Sequence, residues 1–99
     1  MSDYDTFLRS ISAIAETMQE LQAVAVSHYT PVVEAIIATR CRDTQHIENT
    51  LDQLLDLACH PGGLELFKTL CRHYYPIDPA ATADYIFAYR ELWDVDEVA

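Results

Sequence analysis

Apolar residues in the first part of the chain recur at alternating intervals of four and three residues. The series is Phe7, Ile11, Ile14, Met18, Leu21 and Ala25, and it is widened by Leu8 and Ala15. This spacing places one apolar stripe along an α-helix, as in a coiled coil. We find no segment with the two-residue alternation typical of a β-strand. The pattern therefore predicts an all-α protein whose first helix covers about residues 3–27.

Residues that break helices are few, and they divide the rest of the chain. Glycine occurs only at 62 and 63, and proline at 31, 61, 76 and 79. Thr30 followed by Pro31 is typical of a helix start, so 28–31 is predicted as a connection. A second apolar series then follows: Val33, Ile37, Ile47, Leu51, Leu54 and Ala58. It predicts one helix over 31–59, although two helices joined near 42–44 also fit, with Asp43 or Thr44 as a cap.

A short connection makes neighbouring helices antiparallel, which sets the predicted fold. We expect a long antiparallel helical hairpin with two shorter helices packed on it, a four- to five-helix bundle. The sequence HPGG at 60–63 predicts a turn with a positive φ at glycine. The shorter helices are predicted at about 64–75 and 79–93, the second started by Asp78 and Pro79. The chain is predicted to be a single domain, 1–99, with a frayed acidic tail at 94–99.

The charge is strongly negative, with 16 acidic residues, 6 Lys and Arg, and a net charge of −10. Such a chain repels phosphate backbones, so no direct contact with nucleic acid is expected. A basic protein is the charge-complementary partner. Acids spaced by four residues form two ladders, which we predict as the partner-binding face: Glu48, Asp52 and Asp56, and Glu16 and Glu20. The alternative is a solvated face that only keeps the protein soluble.

Aromatic residues are concentrated near the C-terminus, where seven of the ten follow Gly63. The predicted helix 79–93 is apolar on nearly all sides, which favours an interface formed by Tyr85, Tyr89 and Trp93. The alternative is that these rings pack internally while the hydroxyl groups reach solvent. Together with the predicted hairpin, this favours a homodimer, because two hairpins complete a four-helix bundle.

Two cysteines and two histidines lie close together in 58-ACHPGGLELFKTLCRHYY-75. A zinc site needs four convergent ligands, and Cys59, His60, Cys71 and His73 do not have the usual spacing. Cys71 and His73 point to nearly opposite faces of a helix. The stretch therefore predicts a helix end, a turn and another helix. In this interpretation His60 acts as a cation at the helix C-terminus, Cys71 is buried, and no metal or other cofactor is bound.

Three cysteines, an odd number, and the lack of a signal-peptide pattern predict a cytoplasmic protein with free thiols. No apolar run approaches the ~20 residues of a membrane span, so no membrane contact is expected. No catalytic motif is found, and no catalytic residue is predicted. The predicted function is a non-catalytic, acidic, helical regulator or inhibitor of a basic protein, such as a nucleic-acid-binding protein. The alternatives are a small-ligand or metal-binding domain using the Cys/His/Tyr cluster at 59–75, and a minor enzyme or enzyme subunit.

Overall fold

The computed structural model describes residues 3–93 of the chain, and they form four α-helices packed together. The helices are α1 (Asp3–Ala38), α2 (Thr44–Asp56), α3 (Pro61–Tyr74) and α4 (Pro79–Leu92). The all-α prediction is confirmed. The predicted frayed tail at 94–99 lies outside the described residues.

The predicted connection at 28–31 is wrong, because α1 continues through Pro31 to Ala38. Proline inside a helix removes one hydrogen bond, here to the carbonyl group of Ser27, and costs about 3 kcal/mol. Ser27 and Pro31 are both exposed, so water can satisfy that carbonyl group. Val33 and Ile36, just beyond the proline, are almost completely buried. Their burial in the core offsets the local cost of Pro31 and keeps the chain helical.

The end of α1 has a residue in the left-handed conformation, although the sequence has no glycine there. Arg40 has φ 53° and is the one non-glycine residue with positive φ within residues 3–93. The amide of Cys41 donates to the carbonyl of Ile36 (2.9 Å), and the amide of Arg40 donates to that of Ile37 (3.1 Å). This is the Schellman arrangement that usually places glycine at the Arg40 position. The first long helix therefore stops here and not at residue 27.

The prediction of one helix over 31–59 is also wrong, and the two-helix alternative is confirmed with its joint at 39–43. Asp43 caps α2, because its side chain accepts a hydrogen bond from the amide of His46 at 3.3 Å. An aspartate in this position satisfies one of the free N–H groups of the first turn. The turn between the first two helices thus lies about ten residues later than predicted, and residues 3–27 and 31–59 are not the two arms of a hairpin.

The corner between α2 and α3 depends on His60 and Gly63. Nδ1 of His60 accepts a hydrogen bond from the amide of Gly62 at 3.0 Å and caps α3, with Pro61 as the first helical residue. His60 was predicted to act as a cation at the end of α2, and its observed role is that of an acceptor at the start of α3. The predicted positive φ is also wrong, since neither glycine has one. Gly63 is needed instead for space, because a Cβ atom there would lie 2.0 Å from the carbonyl oxygen of Leu57.

The start of α4 is as predicted, with Asp78 as the cap and Pro79 as the first helical residue. The core lies between the second half of α1 and helices α2 to α4. Its fully buried side chains come mainly from three helices: Val33, Ile36, Ile47, Leu51, Leu54, Phe67, Leu70 and Tyr74. Helix α4 contributes one buried residue, Thr82, and covers the outside of α2 and α3.

The first half of α1 projects away from this core. Every residue from 3 to 21 is exposed. The molecule is 59 Å long, and a helix of 36 residues at ~1.5 Å per residue has nearly that length. Contact with the rest of the chain begins at Gln22, whose side-chain amide donates to Sγ of Cys59 at 3.3 Å. About half of α1 therefore stands alone.

Candidate functional site

The projecting half of α1 carries the predicted apolar stripe, and that stripe is uncovered. We call it the ridge; it consists of Tyr4, Phe7, Leu8, Ile11, Ile14, Met18 and Leu21, which are between 44% and 68% exposed. These fractions, applied to ordinary side-chain areas, give roughly 800 Å² of exposed surface, more than the largest patch of about 300–600 Å² on a typical monomer. The stripe was predicted to pack against the chain's own second helix. The structure instead leaves it without a partner among residues 3–93.

The ridge continues the face of α1 that packs into the core. At 100° per residue, its residues and the core-facing Tyr29, Val33 and Ile36 lie on the same side of the helix. Glu16 and Glu20, which were predicted to bind a partner, lie on the opposite side and are exposed. An apolar face and an acidic face therefore run back to back along residues 3–21.

The second acidic ladder, on α2, is partly engaged inside the protein. The hydroxyl group of Tyr74 donates to Oε2 of Glu48, and Tyr74 is fully buried. Oη of Tyr85 lies 2.8 Å from Oδ1 of Asp52 and 3.2 Å from the carbonyl oxygen of Glu48. Asp56 is exposed. Two of the three ladder residues thus also tie α2 to α3 and α4.

The hydrogen bonds of these tyrosines affect their acidity. Burial, followed by the hydrogen bond to Glu48, raises the pKa of Tyr74 well above its usual range. Burial and the hydrogen bond to Asp52 do the same for the pKa of Tyr85. Both hydroxyl groups therefore stay protonated and act as fixed donors. A polar cleft of about 300 Å³ lies beside the two carboxylates, lined also by Thr44, Gln45 and Asn49.

The other residues of the predicted aromatic interface also contact their own chain. The ring of Tyr89 packs on that of Phe67, with centroids 5.8 Å apart. Nε1 of Trp93 donates to the carbonyl oxygen of Leu55 at 2.8 Å. Trp93 is also 39% exposed, and the other apolar side chains that face outward from α4 are Ile86, Phe87 and Leu92, which are 42%, 57% and 51% exposed.

An apolar groove of about 430 Å³ lies between α3 and α4. Its floor includes Phe67, Cys71 and Ile86, and three basic residues line it: Lys68, Arg72 and Arg90. Burial raises the pKa of the Cys71 thiol to about 11, so this cysteine is uncharged at neutral pH. The burial of Cys71 that we predicted is confirmed.

The structure does not bring the cysteines and histidines of 59–75 together. Cys59 is exposed at the corner of α2 and α3, and His60 caps α3. Nε2 of His73 lies 2.8 Å from the carbonyl oxygen of Cys41, on another side of α3. Within residues 3–93, no three His, Cys, Asp or Glu side chains converge in a way that holds a metal ion.

Helix α1 is long enough and apolar enough, by length and composition, to cross a membrane. Its best 18-residue window has a mean hydropathy of 1.2, and 11% of that window is buried. One such helix near an N-terminus is weak evidence, because core helices and signal sequences share these properties. The two buried residues of α1 are Val33 and Ile36, so this window lies in the second half of the helix, which packs into the core.

Sequence reasoning missed the two tyrosine–carboxylate pairs and the capping role of His60. The capping role of His60 had a signal in the sequence, because a polar residue directly before proline is typical of a helix start. The tyrosine–carboxylate pairs had no signal in the sequence, since the partners are 26 and 33 residues apart. This chain matches no protein-family model, no curated protein and no solved structure.

Proposed function

We propose that this chain is a non-catalytic interaction protein that binds another protein through the ridge of α1. The observation that carries the proposal is the exposure of seven large apolar side chains in one continuous row. Contiguous apolar surface of this size is typical of a binding site in a soluble protein. The row has the spacing that a partner helix or a groove accepts, which is the helix-in-groove mode of recognition.

The chemistry of the cysteines and histidines supports a non-catalytic role. Thiol catalysis needs a cysteine with a lowered pKa beside a base. Cys71 has a raised pKa. Cys59 adjoins His60 in sequence, but Nδ1 of His60 is already bonded to the amide of Gly62. The alternative of a small-ligand domain stays a prediction, and the groove between α3 and α4 is where an apolar ligand would fit.

A photo-reactive side chain placed on the ridge tests the proposed function in living cells. A benzophenone amino acid at Phe7 is compared with the same group at Ala13, which is exposed on the acidic side of α1. We expect covalent adducts with protein at position 7 and few at position 13. If position 7 gives no more adduct than position 13, the ridge is not a binding surface and the proposal is wrong.

A basic partner for the acidic face of α2 is a second proposal, favoured by the net charge of −10 and by the geometry of Glu48 and Asp52. These carboxylates are held by tyrosine hydroxyl groups beside the polar cleft. Fixed acceptors of this kind suit the guanidinium group of arginine, which donates in a fixed geometry. A regulator or inhibitor of a basic protein would use this face while the ridge is occupied by its own partner.

A charge-matched pair of variants tests this second proposal. The double variant Asp52→Asn/Asp56→Asn loses two charges on α2, and Glu65→Gln/Asp84→Asn loses two exposed charges elsewhere. The probe is a fluorescent arginine-rich peptide, and its affinity is measured by anisotropy at two salt concentrations. We expect the first variant to bind about 10-fold more weakly than the second, because lost contacts exceed lost net charge. Equal affinities would show that only net charge matters and that α2 has no specific site.

A further inference from the structure

We propose that the partner of the ridge is a second copy of this chain, and that residues 3–21 of the two copies pair antiparallel. This inference rests on the proposed function of the ridge and names its occupant. The first support is area. A standard interface buries ~800 Å² on each partner, and the ridge exposes roughly that amount before any other surface is counted.

The second support is the symmetry of the ridge sequence. The six residues at alternating intervals of three and four are Tyr4, Phe7, Ile11, Ile14, Met18 and Leu21. Their positions are symmetric about the point midway between residues 12 and 13. When two copies run antiparallel about that point, Tyr4 meets Leu21, Phe7 meets Met18, and Ile11 meets Ile14. A twofold dimer needs this kind of self-complementary patch.

Each of these layers pairs side chains that pack well. The Phe7–Met18 layers, one on each side of the axis, bring a flexible thioether against an aromatic ring, a favourable contact. The Ile11–Ile14 layers lie at the centre and combine two branched aliphatic side chains. The Tyr4–Leu21 layers lie at the two ends, where the Tyr4 hydroxyl group reaches water. Every layer therefore forms without a charged group in the interface.

The third support is the placement of charge. Asp5, Arg9, Glu16 and Glu20 lie on the side of α1 opposite the ridge. The positions that flank the ridge, Ser10, Ala15 and Thr17, are uncharged. Two chains with a net charge of −10 each can therefore meet along the ridge without like charges facing each other.

Charge also selects the antiparallel arrangement over the parallel one. Parallel pairing would set two acidic cores, each formed by α2 to α4 and the end of α1, beside each other at one end. Antiparallel pairing separates them by the length of residues 3–21, roughly 29 Å at ~1.5 Å per residue. That distance is several times the Debye length of ~8 Å at physiological salt, so their repulsion is screened.

A lipid surface fits α1 less well than a second copy does. Amphipathic helices that lie on membranes carry Lys and Arg on the polar face, whereas the polar side of residues 3–21 has one Arg and several acids. The most apolar window of α1 contains the core residues Val33 and Ile36, so a membrane span would take up the part of the helix that packs into the core and not residues 3–21.

Sedimentation equilibrium of the full chain tests the dimer. The variants are Ile14→Asp on the ridge and Ala13→Asp, which adds the same charge one residue away on the opposite side. We expect wild type and Ala13→Asp to be dimers, and Ile14→Asp to dimerise about 100-fold more weakly or worse, because each interface would bury two unpaired carboxylates. Trp93 fluorescence checks that α2 to α4 stay folded. A monomeric wild type, or an Ile14→Asp dimer of wild-type affinity, would overturn the proposal.

Disulfide formation tests the orientation. Tyr4→Cys and Leu21→Cys are each made in a Cys59→Ser background, since Cys59 is the exposed native thiol. A mixture of the two should give the mixed disulfide far faster than either variant alone gives its homodimer. Faster homodisulfide formation in the separate samples would establish parallel pairing and overturn the antiparallel arrangement.

Two further outcomes distinguish this inference from the proposed function. If the purified chain is a monomer while position 7 still cross-links to a different protein in cells, the dimer is wrong and the proposed function stands. If the monomer binds neutral phosphatidylcholine vesicles through the ridge and cross-links to no protein, both are wrong.

Discussion

The hydroxyl group of Tyr74, buried on α3, donates a hydrogen bond to the carboxylate of Glu48 on α2. A half-buried carboxylate needs such a donor, because an unsatisfied charge away from water is costly. The pair therefore holds α2 and α3 in register at the end of the core. Tyr85 repeats the arrangement from α4 with Asp52.

Removing the Tyr74 hydroxyl should destabilise the protein. For Tyr74→Phe we expect the free energy of unfolding to fall by about 1–2 kcal/mol, because Glu48 loses a charge-assisted hydrogen bond. Urea denaturation followed by Trp93 fluorescence measures it. The control is Tyr75→Phe at the neighbouring position, where the tyrosine is 60% exposed. Its free energy of unfolding should change by no more than about 0.5 kcal/mol. Equal effects of the two variants would contradict the role given to the Glu48 pair.

Space at Gly63 should be essential for the corner between α2 and α3. In Gly63→Ala the new methyl group would start 2.0 Å from the carbonyl oxygen of Leu57, so backbone must move. We expect a loss of about 2–3 kcal/mol. Gly62→Ala is the matched control, since its nearest neighbour is the tip of the Val26 side chain at 3.0 Å and alanine favours the helix. Thermal unfolding should give Gly63→Ala a much lower melting temperature than Gly62→Ala. The reverse order of melting temperatures would contradict the close contact at Gly63.

Glycine at position 40 should stabilise the end of α1. Arg40 has φ 53°, a conformation that costs a side-chain-bearing residue about 1 kcal/mol and glycine almost nothing. We expect Arg40→Gly to raise the free energy of unfolding by about 0.5–1 kcal/mol. Arg42→Gly, an exposed position in the same turn without positive φ, should give no gain. Urea midpoints that fall equally for both variants would contradict this reading of the turn.

Stability should fall at alkaline pH. Burial raises the pKa of Cys71 from 9.0 to about 11, and the pKa values of Tyr74 and Tyr85 are raised above their ordinary 10.0. A group whose pKa is higher in the folded state stabilises the fold below its unfolded pKa, and that stabilisation is lost as pH rises through the folded value. We therefore expect these groups to leave the free energy of unfolding unchanged up to about pH 9 and to lower it increasingly above that pH. Urea titrations across this range measure it, and Cys71→Val should make the first part of the fall shallower.

The sequence predicted well those features that are decided within a few residues. Asp78 acts on an amide three residues away, so a local pattern is enough to find it. Asp43 acts over the same distance, but it was predicted only as one possible cap in the two-helix alternative. Pro31 shows the limit, because the helix continues only where the distant burial of Val33 and Ile36 offsets its cost. The pairing of Tyr74 with Glu48 is beyond local reasoning, since it depends on how α2 and α3 meet. The intervals between apolar residues predicted the ridge as an apolar stripe on a helix. They do not tell which surface packs against that stripe.

The exposure of every residue from 3 to 21 also determines when this half of α1 is ordered. Residues 3–21 are held by local bonds, such as those from the hydroxyl groups of Ser10 and Thr17 to carbonyl groups four residues earlier. An isolated helix of this length is marginal in water. A segment near the balance between helix and coil becomes fully helical when its apolar face meets a surface. The helix content of this protein should therefore rise with its own concentration, so that folding of residues 3–21 and molecular recognition are one event.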